Sequence, residues 1–193
     1  MKLSKMKKDF IANCDCKISV YKIDDNLILN VKKSKYNIKE LIKDEKIAKE
    51  FSEGYAIVYR LEPSNYHRYI FIDDGEISSH KVIKGKLHTV NPIVYDKYNV
   101  FTENTREVSV LETENFGKII QIEVGALCVG KIVNHNVSNF KRYDEKGYFE
   151  FGGSTIIHLI KKDSVEIIDE LLNNTNENIE TRVNVGDIIG KKK

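Results

Sequence analysis

The sequence contains no tryptophan, only two prolines (Pro63 and Pro92), and three cysteines. Few prolines, no low-complexity linker and no internal repeat leave nothing in the 193 residues that marks a domain boundary. The length suits one domain with a real core. Three cysteines are too few, and odd in number, for a disulfide framework. Cys14-Asp15-Cys16 has no second Cys/His pair at ligand spacing, so no metal is expected, and with Cys128 these read as reduced thiols of an intracellular protein. No apolar run approaches the roughly 18 residues of a membrane-spanning helix, and no signal peptide stands at the start. An excess of one charge is missing too: Lys+Arg 31 against Asp+Glu 29 leaves a net +2, whereas nucleic-acid binding requires a strong basic excess.

What remains is the composition of a soluble globular chain, 41% hydrophobic and 31% charged, with ten Tyr, eight Phe and many Ile and Val that favour strands. The basic start, Met1 to Lys8, reads as a solvated tail, with contact to an anionic bilayer as the alternative. Residues 17–23 and 27–31 alternate as two strands around an Asp24-Asp25-Asn26 turn. Ile38, Leu41, Ile42, Ala48 and Phe51 then fall on one helical face. Asn37 stands as cap, Glu40 follows at the third position and Gly54 lies past the end, which predicts one clear helix near 37–51. Further strands are expected at 55–61, 68–72, 108–113, 118–124 and 126–133, with turns at Asp73-Asp74-Gly75 and Asn115-Phe116-Gly117. A short helix is expected near 169–173, and Val183-Asn184-Val185-Gly186-Asp187 reads as strand, tight turn, strand. The expected class is mainly β (α+β), a compact sandwich or barrel-like single domain over 1–193.

The pattern breaks most sharply at Phe149-Glu150-Phe151-Gly152-Gly153-Ser154-Thr155, a Gly-Gly-Ser-Thr step between apolar runs at 147–151 and 155–160. Two glycines between strand formers mark a close backbone approach or an unusual φ/ψ. Ser154 follows a carbonyl with almost no side-chain shielding, which suits attack of its hydroxyl on the Gly153 carbonyl; a hairpin or bulge is the simpler reading of these residues alone.

Four other patterns precede that step in order. They are Asp15 before the strand 17–23, Asn65-Tyr66-His67-Arg68-Tyr69, Leu87-His88-Thr89-Val90-Asn91-Pro92, and Val124-Gly125-Ala126-Leu127-Cys128-Val129-Gly130. Together the five resemble the phosphatidylserine decarboxylases, from about residue 12 to the end, most of all a clostridial branch in which Tyr-His-Arg-Tyr leads into Ile-Asp-Asp-Gly, here Ile72 to Gly75. The resemblance implies a carboxy-lyase made as a zymogen. Ser154 attacks the Gly153 carbonyl, the resulting ester eliminates, and the chain is cut into a β fragment (1–153) and an α fragment (154–193) whose first residue becomes a covalent pyruvoyl group. That cofactor forms a Schiff base with phosphatidylserine, and loss of CO₂ gives phosphatidylethanolamine. The implied partners are phosphatidylserine in an anionic membrane, the two fragments held together, and a homodimer. The implied location is peripheral, on the cytoplasmic face of the cell membrane.

A serine nucleophile needs a base, and the base needs an orienting group. The resemblance gives Asp15 the relay role and His67 the imidazole. Many relatives carry a second His three residues after the first; here Ile70 stands in its place. Either His67 serves both maturation and decarboxylation or His88 replaces the missing ring; the favoured split puts His67 in the relay and His88 near the pyruvoyl group. Arg68 and Lys131 are candidates for the lipid phosphate, against simple surface salt bridges. His158 is expected to pack, His80 and His135 to lie in a loop or at a strand end, and Gly125 and Gly130 to serve packing or backbone approach. Relatives usually carry a helical segment ahead of the aspartate motif, so a fragment or short form with altered membrane attachment is expected. Two rival readings share part of this pattern: a pyruvoyl enzyme acting on a soluble amino acid, and a β module that binds lipid or a carrier and no longer cleaves itself.

Overall fold

The computed structural model describes residues 6–31, 34–94, 97–126, 131–150 and 154–193. In chain order the strands are β1 (Asp9–Ile11), β2 (Cys16–Lys22), β3 (Ile28–Val31), β4 (Ser34–Asn37), β5 (Tyr55–Leu61), β6 (Arg68–Ile70), β7 (Gly75–Ile83) and β8 (Arg106–Thr113). They continue with β9 (Gly117–Val124), β10 (Lys131–Asn134), β11 (Asn139–Phe140), β12 (Glu145–Glu150), β13 (Ser154–Ile160), β14 (Val165–Ile167), β15 (Thr181–Val183) and β16 (Ile188–Lys192). The helices are α1 (Ile38–Ile42), α2 (Glu45–Lys49), α3 (Val100–Glu103) and α4 (Asp169–Asn176), with a 3-10 turn at Pro92–Val94.

Most of the core is organised by an antiparallel sheet in the order β11-β7-β8-β9-β13-β5-β2-β15. The mainly β, α+β class expected from composition is therefore the observed one. β13 lies inside this sheet, between β5 and β9, and every one of its residues is buried. That fits its largely apolar run from Ile156 to Ile160, broken only by His158, since a strand covered on both faces has no polar side to alternate with. A second sheet, β10-β12-β6, is tied to the first through buried polar side chains described below. A third, β1-β16-β14, joins the two ends of the described chain, and β3 pairs with β4.

The long helix expected over 37–51 is two short ones. Asn37 caps α1 by accepting from Lys39 N–H, but Lys43 adopts a left-handed conformation (φ 51°) and ends it. Asp44 then caps α2 by accepting from Ile47 N–H at 2.9 Å. An aspartate in mid-pattern competes for backbone donors and starts a new helix instead of continuing the old one. Gly54 serves a close approach, because a Cβ there would lie 2.1 Å from the Ile160 carbonyl oxygen of β13. Strand β3 pairs with β4 over its length and meets the chain just past β2 through an Ile23–Leu29 bridge and the Asp24–Ile28 hydrogen bonds. β7 escapes the sequence pattern because most of its side chains are exposed, and His80 lies in its middle, not in a loop or at a strand end. His135 follows β10 directly, as expected. α4 runs to Asn176, three residues past the expected end, and its Thr175 Oγ1 accepts from Val20 N–H, docking the helix on β2.

Buried Arg106 joins the helices to the sheet. Its guanidinium donates to the carbonyls of Leu41, Glu40, Thr102 and Asn104 at 2.7 to 3.0 Å, satisfying backbone groups at the ends of α1 and α3. Burial lowers its pKa to about 10, which still leaves it charged at neutral pH. No helix among the described residues is long and apolar enough to cross a membrane.

Candidate active site

Ser154 opens β13 and is fully buried, paired across the sheet with Leu61 at the end of β5. The chain leaves β5, turns through Glu62 to Tyr66 and enters β6 at Arg68, so His67 sits just before β6, above that end of the sheet. A hydrogen bond from Glu62 N–H to Asn65 Oδ1 shapes the turn. His67 Nδ1 lies 3.4 Å from Ser154 Oγ, and His67 Nε2 lies 3.1 Å from the Glu62 carbonyl oxygen.

Those two contacts fix the tautomer. A carbonyl oxygen only accepts, so Nε2 carries the proton and donates to Glu62. Nδ1 is then left with its lone pair toward the Ser154 hydroxyl, which donates to it. Partial burial lowers the His67 pKa below its ordinary value, partly offset by the Glu62 carbonyl. At neutral pH the ring is therefore an uncharged acceptor beside a buried hydroxyl, as a general base must be.

The other expected site residues are distributed around this pair. Asp15 lies two residues before Lys17, and Lys17 pairs with Arg60, itself two residues before Glu62, so Asp15 occupies the same end of the sheet. Its carboxylate accepts from Val185 N–H at 2.8 Å, in the turn between β15 and β16. Among the described residues there is no hydrogen bond between Asp15 and His67; the orienting acceptor on the ring is the Glu62 carbonyl. His88 donates from Nε2 to Glu103 Oε2 at 3.0 Å and stacks on Tyr98 with ring centroids 4.3 Å apart. Its link to Ser154 is indirect. Asn104 accepts from His88 N–H and donates to the carbonyls of His88 and Gly125. Gly125 follows Val124, which pairs with Thr155. A Cβ on Gly125 would sit 3.2 Å from the Thr105 carbonyl and 3.4 Å from Leu87 Cδ2, consistent with close backbone approach.

Arg68 is exposed, pairs with Glu145 at 2.6 Å and stacks over Tyr148. Its charge is already matched by a carboxylate that also bonds His135. Lys131 is exposed at the start of β10, opposite Glu150. Gly153, Cys128 and Gly130 lie outside the described residues. Cys14 and Cys16 are free and buried, and burial pushes the Cys14 thiol well up.

His158 is packed, as expected, but within a polar chain that the sequence pattern does not announce. It is fully buried; Tyr59 OH lies 3.1 Å from Nδ1 and Gln121 Oε1 lies 2.9 Å from Nε2. Burial, with the nearby Lys146 charge, lowers its pKa to about 3. Gln121 in turn donates to Glu123, which receives Lys146 at 2.9 Å; both charged groups are buried, and Lys146 also donates to Asn134. Asn134 also accepts from Tyr69 OH and donates to Glu107. These bonds hold β10-β12-β6 over the face of the main sheet that carries Ser154. The available signal was Gln121 and Glu123, two polar residues two apart in an otherwise apolar strand and so on one face.

Fold and site together define a β-rich domain with a buried serine hydroxyl beside a neutral histidine, at a strand start that follows two glycines. The sequence model of the phosphatidylserine decarboxylases matches residues 2–191, and the chain belongs to that family. It is 50% identical to "Phosphatidylserine decarboxylase proenzyme 2" of Clostridium acetobutylicum over 188 residues, 97% of this chain and 65% of that protein. It is 42% identical to the phosphatidylserine decarboxylase proenzyme of Clostridium perfringens over 186 residues, 94% of this chain and 63% of that protein. The corresponding protein of Clostridium tetani is 42% identical over 190 residues, 96% of this chain and 64% of that protein. The chain thus spans just under two thirds of the length of these relatives.

Proposed function

We propose that this chain is the catalytic domain of a phosphatidylserine decarboxylase, a carboxy-lyase that forms phosphatidylethanolamine, and that it processes itself between Gly153 and Ser154. The observation that carries this reading is the 3.4 Å approach of Ser154 Oγ to an unprotonated His67 Nδ1. Long hydrogen bonds are common in resting sites and shorten when the reacting groups align. Membership of the family and the proenzyme names of the relatives support processing.

In this proposal His67 takes the Ser154 hydroxyl proton as Oγ bonds to the Gly153 carbonyl carbon. The C–N bond breaks, the amine leaves protonated, and an ester replaces the amide. Loss of the Ser154 α-proton then expels the Gly153 carboxylate and leaves a dehydroalanine, which takes up water, releases ammonia and becomes the pyruvoyl group. The residues present fit such a group: Ser154 is buried, at the end of a strand held on both sides. A pyruvoyl group there supplies an electrophilic carbonyl that accepts the electrons released with CO₂.

The chain's own residues do the rest. The Glu62 carbonyl keeps the His67 tautomer. Asp15 steadies the 184–187 turn at the site end of the sheet, while the orienting role the resemblance gave it falls to the Glu62 carbonyl. His88, held by Glu103 and Tyr98, serves on the Gly125 side of the group. Arg68 and Lys131 are the cations assigned to the lipid phosphate. Fragments 1–153 and 154–193 stay together because β13 pairs with both β5 and β9, β15 with β2, and β16 with β1.

Intact mass of the purified protein, with and without Ser154→Ala, tests the reading. Two fragments divided at Gly153–Ser154, the smaller carrying a pyruvoyl mass, with the variant whole, are expected. A single uncut wild-type chain would overturn self-processing and favour a lipid- or carrier-binding module.

A further inference from the structure

The carbonyl that orients His67 belongs to a residue whose side chain is anchored elsewhere. Glu62 O accepts from His67 Nε2 at 3.1 Å and from Asn65 N–H at 2.9 Å, and Glu62 N–H donates to Asn65 Oδ1 at 2.7 Å. These bonds shape the turn, and Pro63 narrows the backbone freedom of Glu62 further. They do not place the turn over the sheet. The Glu62 carboxylate does that by reaching back to β5 and β2. Lys17 Nζ donates to its Oε1 at 3.1 Å, and Arg60 Nη1 and Nη2 reach the same oxygen at 3.3 Å.

Arg60 is held a second time. Its Nε and Nη2 donate to the two carboxylate oxygens of Glu180 at 2.9 and 2.7 Å, a fork-on-carboxylate pair, and its side chain is only 13% exposed. Lys17, at 37%, is the more solvated partner of Glu62. Glu180 raises the Arg60 pKa above its ordinary value, and Lys17 first, then Arg60, lowers that of Glu62. Arg60 stands opposite Thr155, the residue after Ser154, and so on the sheet face turned away from the serine hydroxyl. Glu180 immediately precedes β15. One guanidinium thus joins β5, the turn that supplies the His67 acceptor, and the segment entering β15. A planar fork can span two carboxylates in this way, whereas an ammonium group is a point charge.

We propose that Arg60 is a positioning residue for His67: through the Glu62 carboxylate it sets the carbonyl that holds the ring, and through Glu180 it ties that alignment to the 154–193 segment. The inference rests on the reading of Ser154 and His67 as the reacting pair, and adds a requirement on the opposite face of the sheet. Cleavage between Gly153 and Ser154 leaves the alignment in place, because Arg60, Glu62 and His67 lie on one side of the cut and Glu180 on the other, with the ion pair bridging them.

The test compares wild type with Arg60→Met, Arg60→Lys, Glu62→Gln and Arg60→Met/Glu62→Gln. Two rates are measured: self-cleavage, and kcat per pyruvoyl group formed on a short-chain, water-soluble phosphatidylserine. Arg60→Met is expected to slow both by about tenfold to a hundredfold, with KM within about twofold of wild type, since a small misplacement of a reacting group costs that much. Arg60→Lys should recover part of the loss. The double variant should be no slower than Arg60→Met, because both changes act through one path. Arg60→Lys and Glu62→Gln carry the same comparison where Arg60→Met does not fold.

Wild-type rates in Arg60→Met and Glu62→Gln would overturn the proposal. So would a loss in Arg60→Met with Glu62→Gln unchanged, since the effect would then bypass the turn. A separate readout is the His67 Nε2 proton in ¹H–¹⁵N spectra of the uncut Ser154→Ala chain, identified by its loss when His67→Gln is added. Adding Arg60→Met should remove this signal through solvent exchange, and a signal that persists unchanged would overturn the proposal. A wild-type chain that neither cleaves itself nor turns over the soluble lipid, with the proton still lost on adding Arg60→Met, would keep the positioning role and remove the decarboxylase reading.

Discussion

His158 makes the protein's stability depend on pH in a way that can be measured directly. Its ring is fully buried among Tyr59, Gln121 and Phe10, and burial lowers its pKa from 6.5 to about 3. The folded state therefore resists protonation where the unfolded chain accepts it. A folded pKa below the unfolded one gives stability that is complete above about pH 6.5 and declines as the pH falls toward 3. At pH 5 the unfolded imidazole is almost wholly protonated and the folded one is not, a difference of about 1.5 pH units, or about 2 kcal/mol relative to pH 8. For a domain of this size that corresponds to a fall of about 4–8 °C in Tm. The assay is urea unfolding at pH 8 and pH 5 of the Ser154→Ala chain, which stays in one piece, with and without His158→Gln. The glutamine lowers stability at both pH values, but it removes the titration. The protein that keeps His158 should lose about 2 kcal/mol more than the His158→Gln variant between the two pH values. Equal losses in the two proteins would refute a neutral, buried His158.

Two further outcomes follow from the same geometry. His67 acts as base only when unprotonated, and burial lowers its pKa, so the self-cleavage rate should rise with pH to a midpoint below 6.5 and be flat from pH 7 upward; His67→Ala should slow cleavage by about 10²–10⁴-fold. A rate still climbing between pH 7 and 9, followed by gel densitometry, would contradict that assignment. Lys146→Met leaves the Glu123 carboxylate buried without its cation and should cost about 3–5 kcal/mol by urea unfolding, with much of the loss recovered in Lys146→Met/Glu123→Gln. A loss below about 1 kcal/mol would show that the pair is solvated.

Much of this protein is legible one residue at a time. Strand formers at 55–61 form a strand over that span because apolar and β-branched side chains in that order have only one economical arrangement, and the glycine of Asn115-Phe116-Gly117 turns the chain with φ +70°. The serine after two glycines marked a break between strand-like runs, and the resemblance carried by the Tyr-His-Arg motif singled out the histidine that lies beside it. Sequence order could not supply the partners. Asp15 and His67 share an end of the sheet, yet the acceptor that orients the ring is the Glu62 carbonyl, a backbone atom that no side-chain pattern announces. The split of 37–51 into two helices was decided by Asp44, whose local hydrogen bond outweighed a continuous apolar stripe. The Gln121–Glu123–Lys146–Asn134 chain joins residues from three strands, and its charges are tolerable in the core only because the fold brings donors and acceptors together there. Local periodicity thus determined many of the segments that became strands, and the order of the motifs singled out Ser154. Long-range packing alone decided which polar groups it meets, because the energy of a buried polar atom depends on its neighbours in space, not on its neighbours in the chain.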